Sequence, residues 1–213
     1  MTTKGIQITA RDVEILKFIN DFGFCELPQL LQRFGLSQAR GYQLCNRLIQ
    51  AGLLEHERVF YGRGGVYRLT KKGAGYTELP PLKKIPLSTY RHDLTLIKVY
   101  LKFRETYPEA VWISERTLKK DQGSQVIGKR GHVPDGILVF PDGKQIAIEI
   151  ELAAKSKYRL GTILKGYNKE FSFKEVWYCC LNKIEAYVRS QAARMNFVKI
   201  YTLRDILGSQ VES

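Results

Sequence analysis

The sequence predicts an α/β chain of two domains. Three observations point there: three amphipathic helices followed by two alternating strands in the first third, a proline- and glycine-rich stretch over 73–87, and helices interleaved with apolar strands from 88 onward. The domains are expected at 1–72 and 88–213, with 73–87 as a linker.

Residues 1–9 read as an arm that ends at Thr9, the N-cap of a helix over 10–20 carrying Val13, Ile15, Leu16, Phe18 and Ile19. A second helix over 26–34 stops at Gly35. Ser37 caps a third over 38–51, with Tyr42, Cys45, Leu48 and Ile49 on one face and Gly52 closing it. Strands over 53–61 and 66–70 flank the turn Gly62-Arg63-Gly64-Gly65. Three helices and a hairpin in this order predict a winged helix-turn-helix.

The second domain begins with a helix over 88–107 and a short strand over 111–114. An exposed polar loop is expected over 118–131. Strands over 133–140 and 145–152 are joined by Pro141-Asp142-Gly143-Lys144, a strong hairpin signal. A basic helix over 156–171, an apolar strand over 176–181, a helix over 184–195 and a strand over 197–203 complete a mixed sheet.

Composition bears on partners. Thirty-four Lys and Arg face 21 Asp and Glu, a formal net charge of +13. That excess favours a polyanion, nucleic acid ahead of an anionic membrane surface. No apolar run approaches the ~20 residues that span a bilayer, and no signal-peptide core is visible, so a cytoplasmic protein with no membrane partner is expected. The four cysteines form no CxxC pair, which favours reduced, buried thiols over a zinc site. His56, His92 and His132 are isolated in sequence, which also speaks against a histidine-rich metal site.

The third helix is the expected major-groove reader, with Gln38, Arg40, Gln43, Asn46 and Arg47 on its solvent side. Arg pairs bidentately with guanine, and Gln or Asn with adenine, so these residue types can read bases. Arg58, Tyr61 and Arg63 on the wing, with Lys71 and Lys72 after it, suit phosphate contact or insertion into a minor groove. The competing reading is an ordinary solvated face on a protein–protein module.

Asp135 follows Pro134 at the head of a strand. Glu149 and Glu151 lie two apart on the next strand, so alternation puts both on one face with Ala147. The hairpin brings Asp135 beside Glu149 or Glu151. Converging carboxylates repel, and a divalent cation with oxygen ligands offsets that repulsion; Mg²⁺ or Mn²⁺ fits best. Such an ion activates water and stabilises a developing phosphorane. The competing reading makes these carboxylates the solvated side of an amphipathic strand. His92 reads as a structural residue on a helix face or as a proton carrier.

Lys155, Lys157, Arg159, Lys165 and Lys169 sit on or just before the basic helix, with Tyr158 and Tyr167 among them. Lys and Arg there suit phosphates, and tyrosines suit stacking on an unpaired base. Core tyrosines and solubilising lysines are the alternative. Tyr167 as a covalent nucleophile is chemically feasible, but nothing in the sequence singles it out.

Pro134-Asp135 followed by Glu149-Ile150-Glu151 resembles the PD-(D/E)XK nuclease core: an Asp, a spacer of similar length, then Glu-x-Lys. The resemblance implies a nuclease-like domain in which Asp135, Glu149 and Glu151 bind metal and serve catalysis. It also implies that Glu115, on the edge of the preceding short strand, is the acidic residue many such enzymes carry on an upstream element, and that it joins the metal ligands. Glu151 stands where the pattern has Lys, which points to Lys155, one turn later, or Lys165 as the replacement cation. More narrowly, His92-Asp93-Leu94, Trp112-Ile113-Ser114-Glu115-Arg116, Pro134-Asp135, Glu149-Ile150-Glu151, Lys155-Ser156 and Tyr167 together resemble the replication-relaxation group of plasmid proteins. That group includes MobC-type mobilization relaxases and also joins a winged helix to a nuclease-like domain. The match spans nearly the whole chain.

The resemblance implies a relaxase or relaxosome component that binds a plasmid or mobile-element origin and nicks one strand with Mg²⁺ or Mn²⁺. The departure at Glu151 favours a non-catalytic accessory, replication-control or transcription factor on a degenerate nuclease fold. A transposition or repair endonuclease is the third reading, distinguished by double-strand or junction cleavage. The expected partners are double-stranded DNA, single-stranded DNA and other mobilization proteins.

Overall fold

The computed structural model describes residues 7–122, 132–169 and 172–208. The chain divides after Tyr90 into two compact units. The first contains α1 (Ala10–Phe22), β1 (Cys25–Glu26), α2 (Leu27–Phe34), α3 (Gln38–Gln50), β2 (Leu54–Glu57), β3 (Val66–Leu69) and α4 (Lys71–Ala74).

Thr9 starts α1 through a reciprocal cap. Asp12 N–H donates to Thr9 Oγ1 at 3.2 Å, and Thr9 N–H donates to Asp12 Oδ2 at 2.9 Å. The other oxygen of Asp12 accepts from Arg47 of α3, so one buried carboxylate begins a helix and ties it to another. Gly35, at φ 60°, closes α2, and Ser37 Oγ caps α3 by accepting from Arg40 N–H at 3.4 Å. Gly41 lets α3 cross close to α2, since a Cβ there would stand 2.3 Å from Leu31 Cδ2. Ile15, Leu16, Ile19, Leu30, Leu48, Leu53 and Leu69 are buried in the core of this unit. The sheet order is β1-β3-β2, antiparallel throughout.

Some elements differ from the sequence expectation. β1 is two residues long, too short to leave a periodic signal, and pairs with Val66 and Tyr67. The first hairpin strand ends at Glu57 instead of 61, and Phe60 meets the Tyr90 ring edge-on with centroids 5.0 Å apart. The 73–87 segment, expected as a linker, docks on the first unit. Thr70 caps the short α4, and Gly73 presses against Leu53, where a Cβ would come within 2.0 Å of the carbonyl oxygen. Buried Asn20 donates to Thr77 Oγ1 and to the Leu79 carbonyl, both at 2.7 Å. Leu79 and Ile85 are buried. Proline and glycine here shape a packed return of the chain, so composition alone misled.

The second unit contains α5 (Tyr90–Thr106, whose first residue belongs to the first unit), β4 (Val111–Ser114), α6 (Glu115–Gln122), β5 (Gly136–Val139) and β6 (Gln145–Glu151). It continues with α7 (Lys157–Lys169), β7 (Glu175–Cys180), α8 (Asn182–Ala192), β8 (Val198–Thr202) and α9 (Leu203–Leu207). The five-stranded mixed sheet has the order β4-β5-β6-β7-β8. It is antiparallel from β4 to β6 and parallel from β6 to β8, with α7 and α8 as the connections that parallel pairing requires. The expected Asp-Gly turn joins β5 to β6, with Gly143 at φ 82°. Leu160, Ile163, Leu164 and Tyr167 of α7 and Val188 of α8 pack with Ala147, Val176 and Tyr178 of the sheet. On the other face Trp177 meets Phe103 of α5 at 5.6 Å.

Part of the loop expected over 118–131 is helical. Ser114 Oγ accepts from Thr117 N–H at 3.1 Å and starts α6, which runs to Gln122; 123–131 lie outside the described residues. Gly136 sits beneath Trp112, where any Cβ would meet the indole at 2.1 Å. All four cysteines are buried and unbridged. Among the described residues no helix is long and apolar enough to cross a membrane.

The Asp12 carboxyl is held below the ordinary carboxylate range: burial alone would raise it, but Arg47 and Thr9 outweigh burial. A depressed folded pKa contributes stability above the unfolded value of about 3.9, lost as pH falls through the lower folded value. Asp12→Asn should therefore cost about 1 kcal/mol at neutral pH, a figure discounted because Arg47 is 37% exposed. Urea denaturation of the variant should show a flatter loss of stability between about pH 5 and pH 3 than the parent shows.

Candidate functional site

β6 is buried on both faces. Glu149 and Glu151 are only 1% and 5% exposed, so they are not the solvated side of an amphipathic strand. β5 pairs with β6 only as far as Gly136 opposite Ile148, so β6 runs on past its neighbour. The Ile150 N–H then lacks a β5 carbonyl, and Asp135 Oδ2 accepts it at 2.7 Å. The same oxygen lies 3.2 Å from His92 Nε2 of α5, and His92 Nδ1 lies 3.1 Å from Asp93 Oδ1. Burial lowers the His92 pKa, but the Asp135 and Asp93 carboxylates override it and push it up to about 10. An upward shift favours the doubly protonated ring, the form in which both nitrogens donate.

Glu149 Oε1 accepts from His132 Nε2 at 2.6 Å and from the Tyr167 hydroxyl of α7. Burial raises the Glu149 pKa and the Asp135 charge adds to that, while His132 opposes it. Burial lowers the His132 pKa, but Glu149 more than offsets it, and the net shift is upward. Burial, then Glu149, pushes the Tyr167 phenol up. Asp135 Oδ1 and Glu149 Oε2 lie outside these bonds. Tyr178, level with Glu149 on β7, is wholly buried, and its hydroxyl has no hydrogen-bond partner among the described residues.

Glu151 is ion-paired with Lys155, whose side chain is largely buried and whose charge reaches His132. Glu115, expected at a strand edge, stands on the first turn of α6 and pairs with Lys119 at 2.6 Å. Among the described residues no three His, Cys, Asp or Glu side chains gather as an ion cage. The four carboxylates expected to converge are thus divided: Glu115 and Glu151 each hold a lysine, Asp135 and Glu149 each meet a histidine, and the Asp135 charge reaches Glu149.

Of the other candidates, Gln38, Arg40, Gln43 and Asn46 are exposed on α3, whereas Arg47 is engaged by Asp12. Arg58, Arg63 and Lys71 are exposed in the first unit, and Lys157, Arg159 and Lys165 are exposed on α7. Lys72 donates to the Ala51 carbonyl at 2.8 Å. Sequence reasoning missed His132 and Tyr178. Their places depend on the long-range contact of His132 with Glu149 and on the β6–β7 register, neither of which a local spacing encodes. Comparison with protein-family models, curated proteins and solved structures finds no match to this chain.

A raised carboxyl pKa has the opposite sign to that of Asp12. The stability it supports is fully present below the ordinary glutamate value of about 4.3 and is lost as pH rises through the raised one. Glu149→Gln should therefore be more stable than the parent at pH 8, by about 1 kcal/mol, a gain typical of relieving a costly functional group. Urea titrations at pH 8 and pH 4 check this; the gap should close at the lower pH.

Proposed function

We propose that this chain is a DNA-binding protein whose second unit carries a divalent-metal site for nicking one DNA strand, as in plasmid mobilization proteins. The observation behind this reading is the pair Asp135 and Glu149, two neighbouring carboxylates at the end of a central strand with the Lys155 ammonium nearby. Burying such charge is costly; His92 and His132 offset part of it, and a doubly charged ion would offset the rest. The residues fit Mg²⁺ or Mn²⁺: these ions are commonly held by one or two carboxylates, with water and phosphate oxygens completing the shell. Asp135 and Glu149 would hold the ion in this reading, and the buried Tyr178 hydroxyl would offer a further polar contact. When bound, the ion supplies water activation and charge stabilisation.

The chain's own groups have separable roles. His92 fixes the rotamer of Asp135, and His132 and Tyr167 orient Glu149. Lys155 supplies the cation that the Glu-x-Lys pattern has at the position of Glu151. In the first unit, three helices and a hairpin support a winged helix-turn-helix. Exposed Gln38, Arg40, Gln43 and Asn46 on α3 would read duplex DNA, and Arg47 buttresses that helix.

The Lys155–Glu151 pair and the division of the four carboxylates favour a second reading, in which the nuclease-like unit is a scaffold in a DNA-binding accessory, replication-control or transcription factor. A supercoiled plasmid carrying the element's own transfer origin separates the two. With Mn²⁺, the first reading expects one nick at a fixed sequence. Asp135→Ala and Glu149→Ala should lose it roughly a hundredfold or more while duplex binding holds. Arg40→Ala with Gln43→Ala should weaken duplex binding about tenfold or more. Absence of cleavage by the parent with every divalent ion tried would favour the scaffold reading.

A further inference from the structure

α7 buries Leu160, Ile163, Leu164 and Tyr167, so its opposite face is open. Helical geometry centres that face on Tyr158, Lys165 and Lys169, with Lys157 and Arg159 on its flanks. Tyr158 is 85% exposed. Between Lys155 and Lys169 the chain has five cations and no Asp or Glu. Gly161 and Gly166 also lie on this outer side. A Cβ at either would meet nothing within 4 Å, so packing inside the protein does not require glycine there. Glycine weakens a helix relative to alanine, and it suits places where a ligand comes close to the backbone.

We propose that this face of α7 binds single-stranded nucleic acid. Tyr158 stacks on a base, and Lys165 and Lys169, about 6 Å apart along the axis, neutralise phosphates. The two glycines let the strand lie close to the helix. Stacking needs an unpaired base, which separates this ligand from an intact duplex. An anionic membrane fits poorly, because a helix lying on lipid offers it an apolar face, and the apolar face of α7 is already spent on the sheet. Lys155, three residues before Tyr158, touches Glu151, so the strand's path leads to the carboxylates. The inference rests on the nuclease reading only for what the strand meets there.

The 213-residue chain is tested in EDTA by fluorescence anisotropy, with an oligo(dT) of about twenty nucleotides and a duplex of matched length. Tyr158→Ala should weaken oligo(dT) binding roughly tenfold and leave duplex binding unchanged, while Tyr158→Phe keeps the parent affinity. Lys165→Gln with Lys169→Gln should reduce the slope of log affinity against log salt by about 1.4, or about 0.7 per phosphate lost. Gly161→Gln with Gly166→Gln should weaken oligo(dT) binding without lowering the thermal midpoint. Unchanged oligo(dT) affinity in Tyr158→Ala, or equal loss on the duplex, overturns the proposal. So does loss of binding to phosphatidylserine vesicles in that variant with oligo(dT) binding intact. Asp135→Asn reports on cleavage alone, so failure of the nuclease reading and failure of the α7 site are seen separately.

Discussion

The Ile150 N–H points to where a neighbouring strand should be, and β5 has already ended. A backbone donor left unpaired inside a protein is costly, so a side chain must take the place of the missing carbonyl. Asp135 does so, and this brings a carboxylate to the level of Glu149. His92 then comes in from α5 to balance Asp135, with Asp93 balancing His92. Much of the chemistry of the second unit thus follows from two strands of unequal length.

The same economy governs Glu149. Its carboxylate is almost wholly enclosed, in a layer otherwise made of Ala147, Val176, Tyr178 and the inner face of α7. Two hydrogen bonds hold one of its oxygens, and nothing apolar could replace the group without loss of those bonds. α7 therefore has two jobs. Its inner side, through Tyr167, fixes the acid, and its outer side presents a cationic surface with no acidic residue of its own.

Much of the architecture was legible in the sequence because it rests on local signals. Thr9, Gly35, Ser37 and Asp142-Gly143 each mark a boundary by a physical mechanism, and the structure has a boundary at each. The alternation that put Glu149 and Glu151 on one face of β6 is equally local. What the sequence hid was tertiary. The docking of 73–87 depends on Asn20, dozens of residues away. Glu115 lies on a helix because Ser114 caps it, a signal easily overlooked after a short strand. His92 and His132 looked isolated because Asp135 and Glu149, the carboxylates they meet, lie 43 and 17 residues away.

Trp112 lies flat against the backbone one residue from Asp135, in a space that would be closed by any side chain at Gly136. The chain has only two tryptophans, and the other, Trp177, is enclosed by Phe103, Tyr107 and Tyr201. The strand register puts Trp112 and Trp177 on the same face of the sheet, opposite the face that carries Glu149 and Tyr178. Indole emission from this protein therefore follows the packing of α5 on that face, with no added label.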